Sequence, residues 1–526
     1  MKKLFALLII MISSIEVFSQ VPAIQWKRCL GGTLHDGAMS IQQTNDGGFI
    51  AAGYTYSNDG DVFGNHNTTG GGEDIWVVKL DDNGDVQWQK CLGSGNWDGA
   101  SAIRQTVDGG YIVAGYATSN GGDVSGNHGD DCWIVKLDDS GTIQWQKCLG
   151  GTGVDYATSI QQTPDSGYIV LGTTSSNDGD VTGIHNPSCL YPDSWFVKLN
   201  SSGTVQWKRC LGGDFDDGSY SIIIVSDGYV FTASTLSNNG DVSGNHSAGY
   251  DIWVVKTNFL GVIQWQKCLG GIMNEFTGNI QQTGDGGYIL TGASGSNDGD
   301  VSGNHGNDDF WVVKLDYNGT VQWQKCLGGT GYDKANSILQ TLDGGYIVLG
   351  DSWSNDGDIT GHHGITLNGD YWVVKLDEYG VMEWQKSLGG TENDYSHSIL
   401  QTNDGGFLIA GETYSSDDDV VGSHGAFDVW IVKLAPEVGV EELDSFSSLN
   451  LFPNPATSEI TVQSGKFKVE RIEMYSVVGE RIERLTPTLS KGEGVRVDVS
   501  ALPSGIYFVT VTDDAGNRAV RKVVKM

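Results

Sequence analysis

Fourteen tryptophans recur along the chain in two interleaved series. The first is Trp26, Trp88, Trp145, Trp207, Trp265, Trp323 and Trp384, with 57 to 62 residues between successive copies; the second is Trp76, Trp133, Trp195, Trp253, Trp311, Trp372 and Trp430. Self-similarity at a fixed period means one supersecondary unit used seven times, which limits the chain to a repeat architecture.

The unit that begins at residue 38 reads as four short strands. Residues 38–44 run to an Asp46-Gly47 turn, and 49–54 follow as the second strand. A long polar loop over 57–66 leads to 75–80, and Asn83-Gly84 turns the chain into 86–92. Asp-Gly and Asn-Gly supply the positive φ angles that tight hairpins need, so the strands are predicted to form an antiparallel meander. Seven glycine-rich meanders, with 76 glycines and 39% hydrophobic residues in 526, suit an all-β chain without long helices.

Seven four-stranded meanders describe a β-propeller. The array opens with a fourth strand, 24–30, that has no partners in its own unit, and closes with a third strand, 429–434, that lacks a fourth. Pairing the two would complete the seventh blade and remove two exposed sheet edges. Residues 24–434 also resemble the bacterial seven-bladed propeller repeats of secreted and surface proteins. The resemblance rests on Trp-Gln-Lys-Cys-Leu-Gly-Gly, Asp-x-Ala-x-Ser-Ile, Asp-Gly-Gly-Tyr-Ile-Val-x-Gly and Asp-x-Trp-Val-Val-Lys-Leu-Asp, and implies a fold but no single activity.

The start of the chain reads as an export signal, 1–19: Lys2 and Lys3, an apolar run over 4–12, and Val17-Phe18-Ser19 as a cleavage site. The run is too short for a transmembrane helix. The propeller region, 21–435, carries 18 Lys and Arg against 51 Asp and Glu, whereas 446–526 carries 11 against 9. That field opposes nucleic acid and anionic lipid. Of eight cysteines, Cys29, Cys91, Cys148, Cys210, Cys268 and Cys326 share one repeat position, filled by Ser387 in the seventh copy, so they read as packed side chains. Cys132 and Cys189 fall outside that series and are the candidate disulfide.

Beyond an acidic linker, 436–448, residues 449–526 alternate through about seven short runs and predict a small β-sandwich. This segment resembles the C-terminal sorting domain of type IX (Por) secretion cargo of the Bacteroidetes. The matching residues are Leu451-Phe452-Pro453-Asn454-Pro455, Tyr475 to Gly479, Leu502-Pro503-Ser504-Gly505-Ile506-Tyr507 and Lys522-Val523-Val524-Lys525. The resemblance implies Sec export through the periplasm, recognition by the type IX machinery, and a secreted or outer-surface destination.

Candidate chemistry clusters on the long loops, since function tends to sit on loops held by a rigid scaffold. One histidine per unit (His66, His128, His185, His246, His305, His363, His424) lies five residues after an aspartate (Asp61, Asp123, Asp180, Asp241, Asp300, Asp358, Asp419). Presence in every unit points to loop capping and blade packing, with the aspartate accepting backbone N–H bonds. The alternative is calcium, held by Asp59 and Asp61, Asp178 and Asp180, Asp298 and Asp300, or Asp356 and Asp358, although the spacing is not that of an EF-hand. Zinc would need a second histidine per loop. No nucleophile elbow, His-Glu-x-x-His or phosphate loop is present.

Specificity is expected where the repeat is interrupted. The histidine-to-tryptophan interval lengthens in units one, three and six, which nominates Asn67 and Thr68, Tyr191 and Asp193, and His362, Thr366 and Asn368 as ligand contacts. The sequence therefore predicts an exported propeller that binds an extracellular glycan or protein. A calcium-stabilised structural surface protein and a polysaccharide- or peptide-acting enzyme are the alternatives.

Overall fold

Most tight turns carry a glycine at positive φ, as at Gly47 (89°) and Gly84 (78°), with Ser166 (62°) standing where Gly47 does in one repeat, and these pin hairpins between segments that can bury both faces. The computed structural model describes residues 21–67, 71–186, 188, 190–364, 368–437, 449–452, 456–464, 469–476, 481–485, 494–500, 502, 505–513 and 518–525. The segment read as an export signal and residues 438–448 of the linker lie outside them.

Among the described residues all elements are strands, and contacts divide the chain into two compact units, Val21–Glu437 and a C-terminal one. The first unit holds seven four-stranded antiparallel sheets. Sheet 1 comprises Asp36–Gln43, Phe49–Thr55, Asp74–Leu80 and Val86–Leu92, within two residues of the sequence expectation. Sheets 2 to 6 repeat it, with first strands Asp98–Gln105, Asp155–Gln162, Asp217–Val225, Glu275–Gln282 and Asp333–Gln340. Sheet 7 is Asp394–Gln401, Phe407–Thr413 and Asp428–Leu434, completed by the displaced strand Ile24–Leu30, whose Leu30 pairs with Val429 and Cys29 with Trp430. The first strand of each sheet packs on the sheet before it, and that of sheet 1 packs on sheet 7. Leu30, Ile431 and Leu408 share one core with Ile41, Phe49 and Trp76. This is the architecture of a β-propeller.

Third strands such as Asp74–Leu80 are buried throughout because neighbouring sheets cover both faces. The second-series tryptophans sit there at 0–2% exposure. First-series tryptophans are mostly half-buried and lie under the next sheet's outer hairpin: a Cβ added to Gly84, Gly141 or Gly203 would stand 2.7–2.8 Å from the ring of Trp26, Trp88 or Trp145. Sheet 7 has no such hairpin, its fourth strand coming from elsewhere. There Trp384 donates to Glu437 (2.7 Å) in the departing chain and is 5% exposed. The cysteines of the shared position are free thiols, all but Cys29 fully buried.

Every first strand carries a β-bulge, and the bulged residue faces a central lumen: Met39, Ser101, Thr158, Tyr220, Asn279, Asn336 and His397. Apart from the two asparagines, these residues differ from sheet to sheet where the frame does not.

The C-terminal unit is a sandwich of a three-stranded sheet (Leu449–Phe452, Glu459–Ser464, Gly494–Asp498) and a four-stranded one (Val469–Ser476, Arg481–Leu485, Gly505–Asp513, Arg518–Lys525). Ile460 and Val462 of one meet Ile472, Val509, Val511 and Val523 of the other in a single core.

Candidate functional site

Two buried carboxylates per sheet build the face that carries the long loops. The first opens the first strand. Asp36 is fully buried; its Oδ2 accepts from Gly32 N (2.7 Å) and Ser57 Oγ (2.8 Å), and its Oδ1 from the Thr55 hydroxyl. Sheet 5 substitutes Glu275, whose longer side chain still reaches Gly271 N (2.9 Å) and the shorter Ser294 (2.8 Å). Sheet 2 has Ala117 where Thr55 stands, and Asp98 Oδ1 is buried without a donor. Burial pushes the carboxyl groups of Asp98 and Asp217 up to about 6 and that of Asp394 to about 7.

The second carboxylate opens the third strand and holds the loop histidine. Nδ1 of His66 lies 2.6 Å from Asp74, and the other six histidines pair likewise with Asp131, Asp193, Asp251, Asp309, Asp370 and Asp428 at 2.6–3.5 Å. The far nitrogen, Nε2, approaches the loop aspartate of the next sheet: His66 to Asp123 (3.6 Å), His185 to Asp241 (3.3 Å), His246 to Asp300 (3.5 Å), His363 to Asp419 (3.8 Å) and, closing the circuit, His424 to Asp61 (3.8 Å). These five histidines thus latch two sheets, and the bond to Asp193 or Asp370 raises the imidazole pKa of His185 and His363.

The residues considered for calcium are occupied within the fold. Asp59, Asp178, Asp298 and Asp356 accept from the backbone of Thr33, Thr152, Ile272 and Thr330 at 2.7–2.9 Å. Asp61, Asp300 and Asp358 face Gly31, Gly270 and Gly328 N–H groups at 3.2–3.4 Å, and Asp180 lies 3.8 Å from Lys208 Nζ. Among the described residues no three His, Cys, Asp or Glu side chains stand together as a metal site.

The lengthened loops place their residues unevenly. Asp193 is fully buried against His185, and the His362 side chain is 3% exposed near Asp370, so neither presents itself to a ligand, because the frame uses them. Asn67 is buried and bonded to Asn65, and Asn368 donates to the Thr391 carbonyl (2.7 Å). Tyr191 is exposed, with its ring 5.6 Å from Phe215. Thr68, Thr366 and Cys189 lie outside the described residues; Cys132 is buried in the core between sheets 2 and 3.

What remains open on this face is aromatic. The residues flanking each first-strand carboxylate vary between units, and many are exposed: Leu34, Trp97, Val154 and Tyr156, Phe215, Phe276, Tyr332. Rings from sheets 6, 7 and 1 form one arc, Trp353–Tyr395–Phe427–His35–Tyr56–Tyr54, with centroids 5.5–6.2 Å apart. Trp97 and Trp353 are the two tryptophans outside both series, and each lines a cleft. That of Trp353 holds about 630 Å³, with Tyr332, Lys334, Asn307 and Asn355; that of Trp97 about 400 Å³, with Tyr116 and Tyr156. A third cavity, about 490 Å³, contains Glu73 and Glu412, which accept from the Tyr116 and Tyr54 hydroxyls. Gly37 and Gly99 make room for those tyrosines. The signal in the sequence was the pair of tryptophans that broke the period.

In the second unit the motif segments are neighbours. Gly505 pairs with Lys525, Tyr507 with Val523, and Phe508 with Lys522; Tyr507 is buried in the core, and Lys525 also bridges to Ala456. Pro453, Asn454 and Pro455 lie outside the described residues. Residues 450–526 match the secretion system C-terminal sorting domain. The sorting domain makes the chain a substrate of the type IX secretion machinery, bound for the outer surface or the medium. Among the described residues no helix is long and apolar enough to cross a membrane.

Outside the sorting domain the relatives are distant. An uncharacterized WD repeat-containing protein of Acanthamoeba polyphaga mimivirus is 24% identical over 38% of this chain, which spans 18% of that relative. Among solved structures, a puromycin hydrolase aligns with TM-score 0.45 at 10% identity over 83% of this chain and 60% of its own. Sqt1 from Chaetomium thermophilum aligns at 0.40 and 9% identity over 78% and 100%. At those scores neither likeness carries an argument about activity.

Proposed function

We propose that the protein is an exported binding module whose ligand, an extracellular glycan or protein surface, lies on the loop-bearing face of the propeller. The carrying observation is the aromatic arc of sheets 6, 7 and 1 with its flanking clefts, set on a frame whose carboxylates and histidines repeat unit after unit. Aromatic faces beside amide and hydroxyl groups suit the apolar face and hydroxyl edge of a sugar, and rigid rings lose little entropy on binding.

A glycan array probed with residues 21–437 tests this. Binding should weaken at least tenfold in Trp353→Ala and Tyr332→Ala, while Trp26→Phe, remote from the arc, retains it. Equal binding by all three variants would remove the arc from the reading. A polysaccharide-acting enzyme is the second reading, favoured by the two glutamates of one cavity, where burial pushes Glu412 up to about 6. Product analysis after incubation with any bound glycan separates turnover from binding.

A further inference from the structure

The lumen contains a charge that the sevenfold pattern does not call for. At the sixth position after each first-strand carboxylate stand Gln42, Gln161 and Gln281, or the apolar Ile223, Leu339 and Leu400; sheet 2 alone has Arg104. Its Nη1 donates to the Ile103 carbonyl (2.7 Å) and to Ser40 Oγ (3.1 Å). No carboxylate among the described residues pairs with it, and its Nε and Nη2 hydrogens have no protein acceptor.

The surroundings supply donors rather than countercharge. Among the described residues Arg104 is the one formally charged side chain lining a cavity of about 240 Å³ whose other walls are mainly hydroxyl and amide groups, with Met39, Ala102 and His397. Across it His397 keeps Nε2 buried without a partner, and burial holds that imidazole down at about 4, so it is neutral at pH 7. Asp351 is not part of the cavity lining and accepts from Ser396 N (2.6 Å), Ser396 Oγ (2.7 Å) and Asn336 (3.1 Å). A part-buried guanidinium with no carboxylate beside it favours an anion that compensates it, and its planar fork matches an oxyanion in two bonds. In a chain of net charge -34 the compensation must be local.

We propose that the central lumen is an anion site in which Arg104 receives a small oxyanion, a carboxylate or a sulfate, against the hydroxyl-lined wall. The site is independent of the aromatic arc. It predicts that the otherwise acidic protein takes up a small anion, or the acidic terminus of a larger ligand, through the lumen.

The test is calorimetric titration of the full exported chain with sodium acetate, sodium glucuronate and sodium sulfate at constant ionic strength, with sodium chloride as the control. Arg104→Gln is the decisive variant, since glutamine stands at this position in three other sheets and the frame accommodates it. Saturable binding of at least one oxyanion, weakened tenfold or more in Arg104→Gln and partly kept in Arg104→Lys, is the expected result. The acetate and sulfate arms distinguish a carboxylate from a sulfate site. Stabilisation by sulfate that is equal in wild type and Arg104→Gln reflects general exclusion from the surface and overturns the proposal, as does the absence of saturable heat with every probe.

Discussion

Replacing Ala117 with threonine should stabilise the propeller. Asp98 Oδ1 is buried with no donor, whereas Asp36, Asp155, Asp217 and Asp394 each receive a threonine hydroxyl from the position that Ala117 occupies. A buried acceptor left unpaired costs about 1–3 kcal/mol, and the frame already fits threonine here in four other sheets. Allowing for side-chain ordering, a gain of about 1–2 kcal/mol is expected, a rise of about 1–4 °C in melting temperature for a unit of this size. The sign with pH follows from linkage. The Asp98 carboxyl titrates at about 6 in the fold against 3.8 as a free group, so its ionisation costs stability as pH rises through 6. A hydroxyl donating to the ionised form recovers that cost, so the gain should be largest at pH 8 and shrink towards pH 5. Thr55→Ala is the reciprocal variant and should lose a similar amount. Urea denaturation of residues 21–437 at both pH values measures all three proteins; a destabilised Ala117→Thr, or a gain that grows at pH 5, refutes the reasoning.

Further expectations follow from the same frame. Trp430 Nε1 is buried without an acceptor because Lys27 stands where Gln89, Gln146 or Gln266 accepts the equivalent tryptophan in other sheets; Lys27→Gln should add about 1 kcal/mol, read as a higher urea midpoint. Deleting residues 21–32 should lower the melting temperature and expose the edge Val429–Leu434, giving oligomers on size exclusion, and a synthetic 21–32 peptide should reverse both; unchanged stability would show that the displaced strand closes nothing. Asp394 and Asp217, raised by burial, and His185 and His363, raised by their aspartates, bind protons more tightly folded than unfolded. The aspartate part is full below about pH 4 and declines from there to about pH 7, the histidine part is full below about pH 6 and lost as pH rises to 8, while Asp165, held down to about 2 by Thr163 and Lys198, opposes this only below about pH 4. A melting-temperature maximum at about pH 4–5 is expected; a maximum at pH 8 contradicts the assignment.

The strands and their turns were readable because period and glycine position are local properties, and even the displaced strand at Trp26 showed as a fourth strand without companions. The partners of the loop histidines were not. The constant interval from Asp61 to His66 pointed to loop capping and blade packing without naming the histidine's partners, and His66 reaches Asp74 in its own sheet and Asp123 in the next. The first separation ranges from three to eight residues among units, so no fixed spacing reveals it. Loop lengthening likewise pointed to Asp193 and His362, which the frame buries, because an insertion changes length without saying which residue faces out. Variation at a fixed repeat position was the better guide. It marks Trp97, Trp353 and the bulged residues of the lumen, where each sheet is free to differ.

The pairing of Leu30 with Val429 has a consequence in time. Two strands about 400 residues apart must meet before the last sheet exists, so the ring cannot be completed progressively as its repeats emerge. Six sheets can form from sequence neighbours, each templating the next, while the strand around Trp26 waits unpaired for a partner made last. The final event is a long-range capture rather than a seventh hairpin. Until it occurs the chain is an open array with two adhesive edges, and its yield should depend on how quickly those edges find each other instead of a second molecule.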